Sequence, residues 1–282
     1  MIIDAHQHFW DLSRGDYAWL TPAEGILYRN YLPTDLIPTL RENGVIATVL
    51  VQAAPSEAET RYLFDLARAN AFVAGVIGWV DFEDPDVEPR IEGLIQAGAG
   101  MLKGLRPMIQ DIADPEWVRR PALDPAFEAM STHGLVFDAL VRPVHLPPLR
   151  TRLERHPQLQ VVLDHAAKPQ IRTGEFETWA REMQAIGRGT QVHCKLSGLL
   201  TLAGGSAHPS KDIKPYVEHV FACFGPQRVL WGSDWPVLNA VSEYSQWLRI
   251  SRDMIGHFAE GLRDDVLGRN AERVYRLKIP PA

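Results

Sequence analysis

Residues 45–52 read VIATVLVQ, and this stretch decides the fold class. It is almost continuously apolar and lacks the two-residue alternation of a half-exposed strand. Such runs are typical of parallel strands that are covered on both faces. Residues 73–80, VAGVIGWV, repeat the pattern. Working outward from these two runs, we predict eight strands, at 2–8, 45–52, 73–80, 101–107, 135–141, 160–165, 191–197 and 228–234.

Helix signals fill the intervals between these strands, whose starts are separated by about 25 to 43 residues. Thr34 opens one predicted helix and Gly44 follows its end, while Ser56 is placed to cap a second helix over 56–69. Residues 124–132 and 147–156 have similar patterns. The alternation predicts one α/β domain over residues 1–282, a (β/α)8 TIM barrel. A doubly wound sheet is disfavoured because no Gly-rich phosphate turn follows an early strand.

Composition limits the possible functions. The chain has 282 residues, 46% hydrophobic content and a net charge of −6, without a long run of lysine or arginine. A nucleic-acid surface is therefore not expected. No apolar run is long enough to cross a bilayer, and no secretory signal is recognisable at the start. Two cysteines, Cys194 and Cys223, give no disulfide framework, which indicates a cytoplasmic protein.

Polar side chains collect where the predicted strands end. In (β/α)8 barrels the chemistry lies at the carboxyl ends of the strands. His6 and His8 are two residues apart on the first strand, so both side chains face the same way, as in many metal sites. The other strand-end candidates are Gln52, Lys103, Arg106, Arg142, Asp164, His165, His193, Lys195 and Asp234.

Three motifs carry a family resemblance. The opening DAHQHFW, the DHAAKP of residues 164–169 and the GSDWP of residues 232–236 resemble the amidohydrolase superfamily, in its amidohydrolase-related branch. With the KGLRP segment they look most like the sugar-lactone hydrolases, the L-fucono- and L-rhamnono-lactonases. The resemblance implies hydrolysis of a lactone. Members of the branch also hydrolyse pyrone and muconolactone substrates or decarboxylate aromatic-like acids. The fifth strand offers Asp138 and Arg142 but no histidine, which argues against a two-metal centre.

The resemblance leads to the following expectations. Asp234 acts as general base for the attacking water, with His165 and Lys103 as the other catalytic residues. Gln52, Arg106 and Arg142 contact the oxygen atoms of the ligand. One divalent ion, such as Zn²⁺, could be held by His6, His8, His165 and Asp234; alternatively the histidines and Lys103 act directly as donors and no metal is required.

Several residues carry secondary expectations. Asp4 and Asp164 are expected to orient the histidines. His193 and Lys195 share parity, and the sequence leaves open whether that face is the lumen of the barrel. In the loop over 9–33, most aromatic residues are expected to anchor the loop and one or two to contact a ligand: Trp10, Tyr17, Trp19, Tyr28 and Tyr31.

The predicted function is the opening of a sugar lactone, similar to L-fuconolactone, to its sugar acid. Two alternatives use the same scaffold: a metal-dependent decarboxylase, and a hydrolase of a carboxylated pyrone or muconolactone. A non-enzymatic binding barrel is a third, and the complete set of three histidines and one aspartate argues against it. The expected partner is a small-molecule lactone, with neither nucleic acid nor membrane, and the sequence does not indicate an oligomeric state.

Overall fold

A computed structural model of the chain describes residues 1–258 and 261–279. Eight parallel strands follow one another around a single sheet in chain order. Each strand hydrogen-bonds to the next, and an isolated bridge between Gln7 and Trp235 joins the segment after the last strand to the first strand. The predicted (β/α)8 barrel is confirmed. The strands are β1 Ile3–Gln7, β2 Ala47–Val51, β3 Val73–Gly78, β4 Leu102–Leu105, β5 Val136–Ala139, β6 Val161–Leu163, β7 His193–Leu196 and β8 Val229–Trp231.

Helices alternate with these strands and cover the barrel. Ser56 caps the second helix as predicted, because its side chain accepts a hydrogen bond from the amide of Glu59 at 3.0 Å. Gly44 ends the first helix in the left-handed conformation, with φ of 66°. The helices are α1 Pro33–Asn43, α2 Glu57–Ala69, α3 Val87–Gly98, α4 Asp124–Thr132, α5 Leu146–Arg155, α6 Glu177–Gly189, α7 Leu199–Leu202, α8 Pro209–Phe224, α9 Tyr244–Phe258 and α10 Asn270–Val274. None of the described helices is long and apolar enough to cross a membrane.

The barrel lumen has its own apolar cluster. Side chains from opposite strands can meet only inside a barrel, and six strands contribute to this cluster. Two residues that follow α10, Tyr275 and Leu277, are buried in the same cluster. The segment after the last helix therefore closes one end of the lumen. The strand residues are Ile3, Ala5, Ala47, Val49, Val51, Ile77, Val136, Val162 and Leu230.

A bulge in β1 determines which of its side chains enter the lumen. Asp4 pairs with Thr48, but Gln7 pairs with Leu50, so β1 has one more residue than β2 over this interval. The Asp4 carboxylate accepts hydrogen bonds from the Ser233 amide at 2.8 Å and the Tyr244 hydroxyl at 3.0 Å, which lie outside the lumen cluster. The extra residue returns the following histidine to the inside, where the site is built.

The loop over 9–33 is fastened to the rim of the barrel, as expected for most of its aromatic residues. Trp10 and Tyr31 exchange backbone hydrogen bonds, and the ring of Tyr31 lies edge-to-face on Trp235 with centroids 5.3 Å apart. Tyr17 is also buried. By contrast, Trp19 and Tyr28 remain 38% and 43% exposed, so these two are free to meet a ligand or solvent.

Candidate active site

Four predicted residues converge at the carboxyl end of the barrel. Nε2 of His6 lies 3.1 Å from Nε2 of His8, which in turn lies 3.4 Å from the Asp234 carboxylate. The same carboxylate oxygen is 3.7 Å from Nε2 of His6 and 3.9 Å from Nε2 of His165. All four side chains are at least nine-tenths buried. The structure thus brings together the three imidazoles and the carboxylate that the motifs single out.

The junction of β8 with β1 fixes Asp234. Its amide donates to the carbonyl of His6 at 2.8 Å, and the amide of His8 donates to the carbonyl of Trp235 at 2.8 Å. Asp234 itself has φ of 59°, a conformation that non-glycine residues seldom adopt. These backbone bonds hold the carboxylate against the two histidines of β1.

A left-handed turn after β6 presents His165. Residues 165–168 all have φ between 50° and 57°, at a cost of roughly 1–2 kcal/mol each for L-residues. The turn is held by the indole of Trp179, which donates to the Ala166 carbonyl at 2.8 Å. Gly198 packs against the ring, since a Cβ at this position would lie 2.8 Å from Nδ1 of His165. The surrounding fold therefore imposes the orientation of His165.

The hydrogen bonds of each ring determine which nitrogen faces the centre of the site. Nδ1 of His8 lies 2.8 Å from the carbonyl oxygen of Val51, which can only accept, so Nδ1 carries a proton and Nε2 faces the centre of the site. Nδ1 of His165 lies 2.9 Å from the hydroxyl of Ser197. Nδ1 of His6 faces the ammonium group of Lys195 at 3.1 Å.

Lys195 belongs to an ion cluster that fills the lumen beneath the histidines. Its ammonium lies 2.5 Å from Asp138 and 3.0 Å from Asp164, and all three residues are fully buried. The Tyr275 hydroxyl donates to Asp138 at 2.9 Å. Asp164 also faces the guanidinium of Arg106 at 3.4 Å. Lys195, whose direction the sequence left open, therefore points into the lumen.

Burial and charge together set the protonation of the site. Burial and the charge of Lys195 lower the pKa of His6 well below its ordinary value. Burial lowers the pKa of His165 to about 4, against the opposing charge of Asp234. Burial alone would raise the pKa of Asp234, but His165 and the hydrogen bond from His8 outweigh it and hold that pKa below the ordinary value. Near neutral pH the site thus holds a carboxylate beside neutral imidazoles of His6 and His165.

A cavity of about 280 Å³ opens above these residues. Its floor contains His8, His165 and Asp234, and Trp19 from the 9–33 loop forms part of the wall. Two cations, Arg106 and Lys168, also line it. The remaining lining residues are Ala53, Met108, Gln110, Asp111, Leu140 and Val237. The arrangement combines a base, positively charged donors and a space of the size expected for a small ligand.

Comparisons with known proteins identify the family of the chain. The sequence profile of a family described as Amidohydrolase matches residues 3–277. The chain belongs to this amidohydrolase family. It is 44% identical to an L-fucono-1,5-lactonase from Burkholderia ambifaria over 99% of this chain and 96% of that protein. It is 33% identical to an L-fucono-1,5-lactonase from Burkholderia multivorans, over 99% and 97% of the two chains.

A solved structure gives a further comparison. A crystal structure of an amidohydrolase from Burkholderia multivorans with bound zinc superposes with a TM-score of 0.89 at 31% identity. The superposition covers 99% of this chain and 100% of that chain. The shared fold extends over the whole barrel, including the three strand ends that supply the histidines and Asp234.

The donor set of this amidohydrolase suits one divalent ion. The ligand atoms of His6, His8 and Asp234 all lie within 4.8 Å of one another, and the three residues are buried. Neutral imidazole nitrogen and carboxylate oxygen are preferred ligands of Zn²⁺. His8 is already oriented for this role, because its Nδ1 donates to a backbone carbonyl. A second group of donors consists of His6, Asp164 and His165.

Two predicted ligand contacts lie at or beneath the cavity. Arg106 lines it, and its guanidinium donates to the backbone carbonyl of Gln52 and, at 3.0 Å, to the Gln52 side chain. The Gln52 amide donates in return to the Arg106 carbonyl at 2.8 Å. Gln52 is fully buried and does not line the cavity. Its expected contact with the ligand does not fit this position, and it instead holds Arg106 in place.

Lys103 and Arg142 do not join the site. The Lys103 ammonium lies 3.4 Å from the carbonyl of Arg276, and its side chain packs against Gly75 and Leu277, at the closed end of the lumen. It is the second residue of β4, so it lies near the amino end of the strand rather than the carboxyl end. The structure therefore places Lys103 away from the candidate active site, and this position does not support its expected catalytic role. Arg142 lines a neighbouring cavity instead of the catalytic one.

Three further residues that line the cavity are not singled out by the sequence patterns. Lys168 lies inside the DHAAKP motif, four residues after Asp164, and that motif was the available signal. Gln110 lines the cavity and its side-chain oxygen accepts from the Lys168 ammonium at 2.5 Å. Met108 lines the cavity beside them. Nothing in the local pattern of residues 108–110 marks them, because they follow β4 in an irregular segment.

Proposed function

We propose that this amidohydrolase opens the ring of a sugar lactone, of the type of L-fucono-1,5-lactone, to give the aldonate. The observation that carries the proposal is the Asp234 carboxylate, which lies within 4 Å of three imidazoles at the floor of a small cavity. The names of the two Burkholderia relatives, both L-fucono-1,5-lactonases, support the same substrate class. The two cysteines are buried and unpaired, which supports a cytoplasmic location.

The reaction requires a base, and Asp234 suits this role. Water adds to the lactone carbonyl carbon while Asp234 accepts one of its protons. The tetrahedral intermediate then collapses, the bond between the carbonyl carbon and the ring oxygen breaks, and Asp234 returns the proton to the leaving alkoxide. The product is a carboxylic acid, which ionises. The lowered pKa of Asp234 keeps its carboxylate ionised at neutral pH, with lone pairs free to face the attacking water.

The developing negative charge on the carbonyl oxygen requires donors. Lys168 and Arg106 line the cavity, and they take the part that the sequence assigned to Lys103. His165 faces Asp234 across the cavity floor and supplies a third polar contact. A divalent ion held by His6, His8, His165 and Asp234 would polarise the lactone carbonyl. The residues that line the cavity bind and orient the lactone in either case.

The size of the cavity favours a single sugar ring. Its volume of about 280 Å³ lies at the lower end of the usual range for ligand sites. The indole of Trp19 is fixed by a hydrogen bond to the Ala53 carbonyl at 2.8 Å, so its face is a preformed wall. Sugar rings commonly stack their C–H groups on such aromatic faces.

A pyrone-type lactone that carries carboxylates is the second candidate. The observation that favours it is the pair of cations, Arg106 and Lys168, which could bind a substrate carboxylate as well as an oxyanion. A decarboxylase would use the same two cations as a clamp, and would release carbon dioxide instead of adding water.

A substrate panel tests the proposal. The purified protein is assayed against a stereochemical series of aldono-1,4- and aldono-1,5-lactones, with acid release followed by a pH indicator. A carboxylated pyrone lactone and an aromatic acid, the latter assayed for carbon dioxide, are included. We expect the highest kcat/KM with a 1,5-lactone of L-fucose configuration. Hydrolysis of the pyrone alone, or decarboxylation alone, would replace the proposal by the corresponding alternative.

A further inference from the structure

A second cavity adjoins the catalytic one and has a different character. Its volume is about 450 Å³, and it lies between the segment after β5 and the segment after β6. Three cationic residues line it: Arg142, Lys168 and Arg172. Lys168 also lines the catalytic cavity, so one side chain forms a wall of both. The other lining residues are Pro143, Val144, Pro169, Gln170, Thr173 and Leu202.

The charges of the two outer arginines in this second cavity are not paired with a carboxylate within the described residues. None of its lining residues is acidic, and neither Arg142 nor Arg172 forms an ion pair with a described carboxylate. Elsewhere on the surface, exposed arginines such as Arg120 pair with two carboxylates at once. Positive charges gathered around one concave surface raise the local concentration of anions.

Lys168 is held in position between the two cavities. The left-handed turn of residues 165–168 fixes its backbone, and its ammonium donates to the Gln110 side chain at 2.5 Å. Arg142 and Arg172 line the same concave surface as Lys168, so three basic side chains face one another there. An anion placed between these cations would relieve their mutual repulsion.

We propose that the second cavity is an anion subsite, which binds a carboxylate or phosphate group of a ligand that extends from the catalytic cavity past Lys168. Arg142 and Arg172 would contact the anion from the outer side, and Lys168 from the inner side. The identity of that ligand rests on the proposed lactone hydrolysis, whereas the subsite itself is inferred from its lining residues. Two sources fit the chemistry: a charged substituent at the far end of the substrate, and the carboxylate newly formed on the departing product.

Binding of inorganic phosphate tests the subsite without reference to catalysis. Calorimetric titration of the intact protein with phosphate is compared among wild type, Arg172→Met and Arg150→Met. Arg150 is an exposed arginine of α5 that lies outside both cavities. We expect Kd to rise roughly tenfold in Arg172→Met, as for the loss of one charge-assisted contact, and to stay unchanged in Arg150→Met. Undetectable phosphate binding by wild type, or equal Kd in all three proteins, would overturn the proposal.

Kinetic arms then distinguish the two sources of the anion. If the anion belongs to the substrate, a 6-phospho-aldono-1,5-lactone has a higher kcat/KM than its neutral parent, and Arg172→Met abolishes that preference. If the anion belongs to the product, the aldonate inhibits hydrolysis of the neutral lactone, and Arg172→Met weakens that inhibition roughly tenfold. In both cases Arg172→Met leaves kcat for the neutral lactone within about twofold of wild type. If Arg172→Met changes neither the preference for the phosphorylated lactone nor the inhibition by the aldonate, the subsite is refuted, even if lactone hydrolysis itself is confirmed.

Discussion

The ammonium nitrogen of Lys195 lies 3.1 Å from Nδ1 of His6, at the level where the ion cluster of the lumen meets the candidate active site. An ammonium group can only donate, whereas the Asp164 carboxylate, 3.4 Å from the same nitrogen, can only accept. Lys195 and Asp164 therefore compete for Nδ1 and together set which nitrogen of His6 carries the proton, while Nε2 faces His8 and Asp234. Lys195 thereby influences which form of His6 faces the reacting groups, although it does not line the cavity itself.

Removal of Lys195 should therefore slow catalysis. We expect Lys195→Met to lower kcat by roughly 10- to 100-fold, the usual effect of removing a group that orients a site residue. Its melting temperature should also fall, because Asp138 and Asp164 would lose a buried partner. The ¹⁵N chemical shifts of His6, measured below that melting temperature, should report a change of tautomer.

Lys103→Met is the matched control. The substitution is the same, and Lys103 also points into the lumen, but at its closed end. We expect kcat and the His6 resonances to remain those of wild type. Normal turnover in Lys195→Met, or a large loss in Lys103→Met, would contradict this assignment of the two lysines.

The contrast between these two lysines illustrates what the sequence can and cannot specify. Strand order, helix positions and the convergence of His6, His8, His165 and Asp234 follow from apolar runs and motifs. The depth of a side chain inside a barrel depends on the stagger of the strands, which local patterns do not encode. Lys103 stands second in β4 and Lys195 third in β7, yet they lie at opposite levels of the lumen.

Irregularities of the backbone could not be predicted from the sequence either. The bulge in β1 and the left-handed turn over residues 165–168 depend on hydrogen bonds from distant residues, such as Trp179. The alternation of side chains along a strand correctly predicts that His6 and His8 face the same side. It holds for this pair because both histidines follow the extra residue of the β1 bulge. It could not show that Asp4 would turn outward to Ser233 and Tyr244.

Trp19 should determine how tightly the lactone binds. Loss of one aromatic wall costs about 0.5–1.5 kcal/mol, so Trp19→Ala should raise KM up to about tenfold with little change in kcat. Trp19→Phe should recover part of the loss. Tyr28→Ala is the control, since Tyr28 is exposed on the same loop but does not line the cavity. If Trp19→Ala and Tyr28→Ala have the same KM, Trp19 does not contact the substrate.

Glu59 should make stability depend on pH. Its buried carboxylate accepts hydrogen bonds from the amides of Ala53 and Ala54, at 2.8 to 3.1 Å. Burial nevertheless raises its pKa from 4.5 to about 7. A raised pKa favours the protonated form in the folded protein, so this contribution is complete below pH 4.5 and is lost as the pH rises through about 7.

The comparison of wild type with Glu59→Gln measures this contribution. Between pH 5 and pH 8, the free energy of unfolding of wild type should fall relative to that of Glu59→Gln, by up to about 3 kcal/mol. Urea denaturation at each pH gives the difference. Glu57→Gln, on the same helix, should follow the wild-type slope. Parallel curves for wild type and Glu59→Gln would show that Glu59 is not protonated in this range.

Zinc binding should depend on His8. After dialysis against a chelator, calorimetric titration should show about one Zn²⁺ bound per chain, because the two groups of donors share His6 and so can hold one ion between them. His8→Asn should weaken binding by more than about 100-fold, since a direct ligand contributes more than the group that orients it. His133→Asn, at the end of α4, should bind zinc as wild type does. Equal affinity in both variants would exclude His8 as a ligand.

Asp234 is the residue on which the proposed reaction depends most. An asparagine side chain keeps the shape of the aspartate and much of its hydrogen bonding but cannot accept a proton from water. Asp234→Asn should therefore lower kcat by about 10²–10⁴-fold, the usual contribution of a positioned general base. Binding of the lactone should persist, because Arg106, Lys168 and Trp19 line the cavity independently of it.

The opposing hypothesis is that Asp234 only stabilises the turn after β8, where its amide bonds to the His6 carbonyl. In that case the variant would unfold at a lower temperature and retain its turnover. Measurement of melting temperature, lactone affinity and kcat on one preparation separates the two, and a destabilised variant with normal kcat would exclude Asp234 as the base.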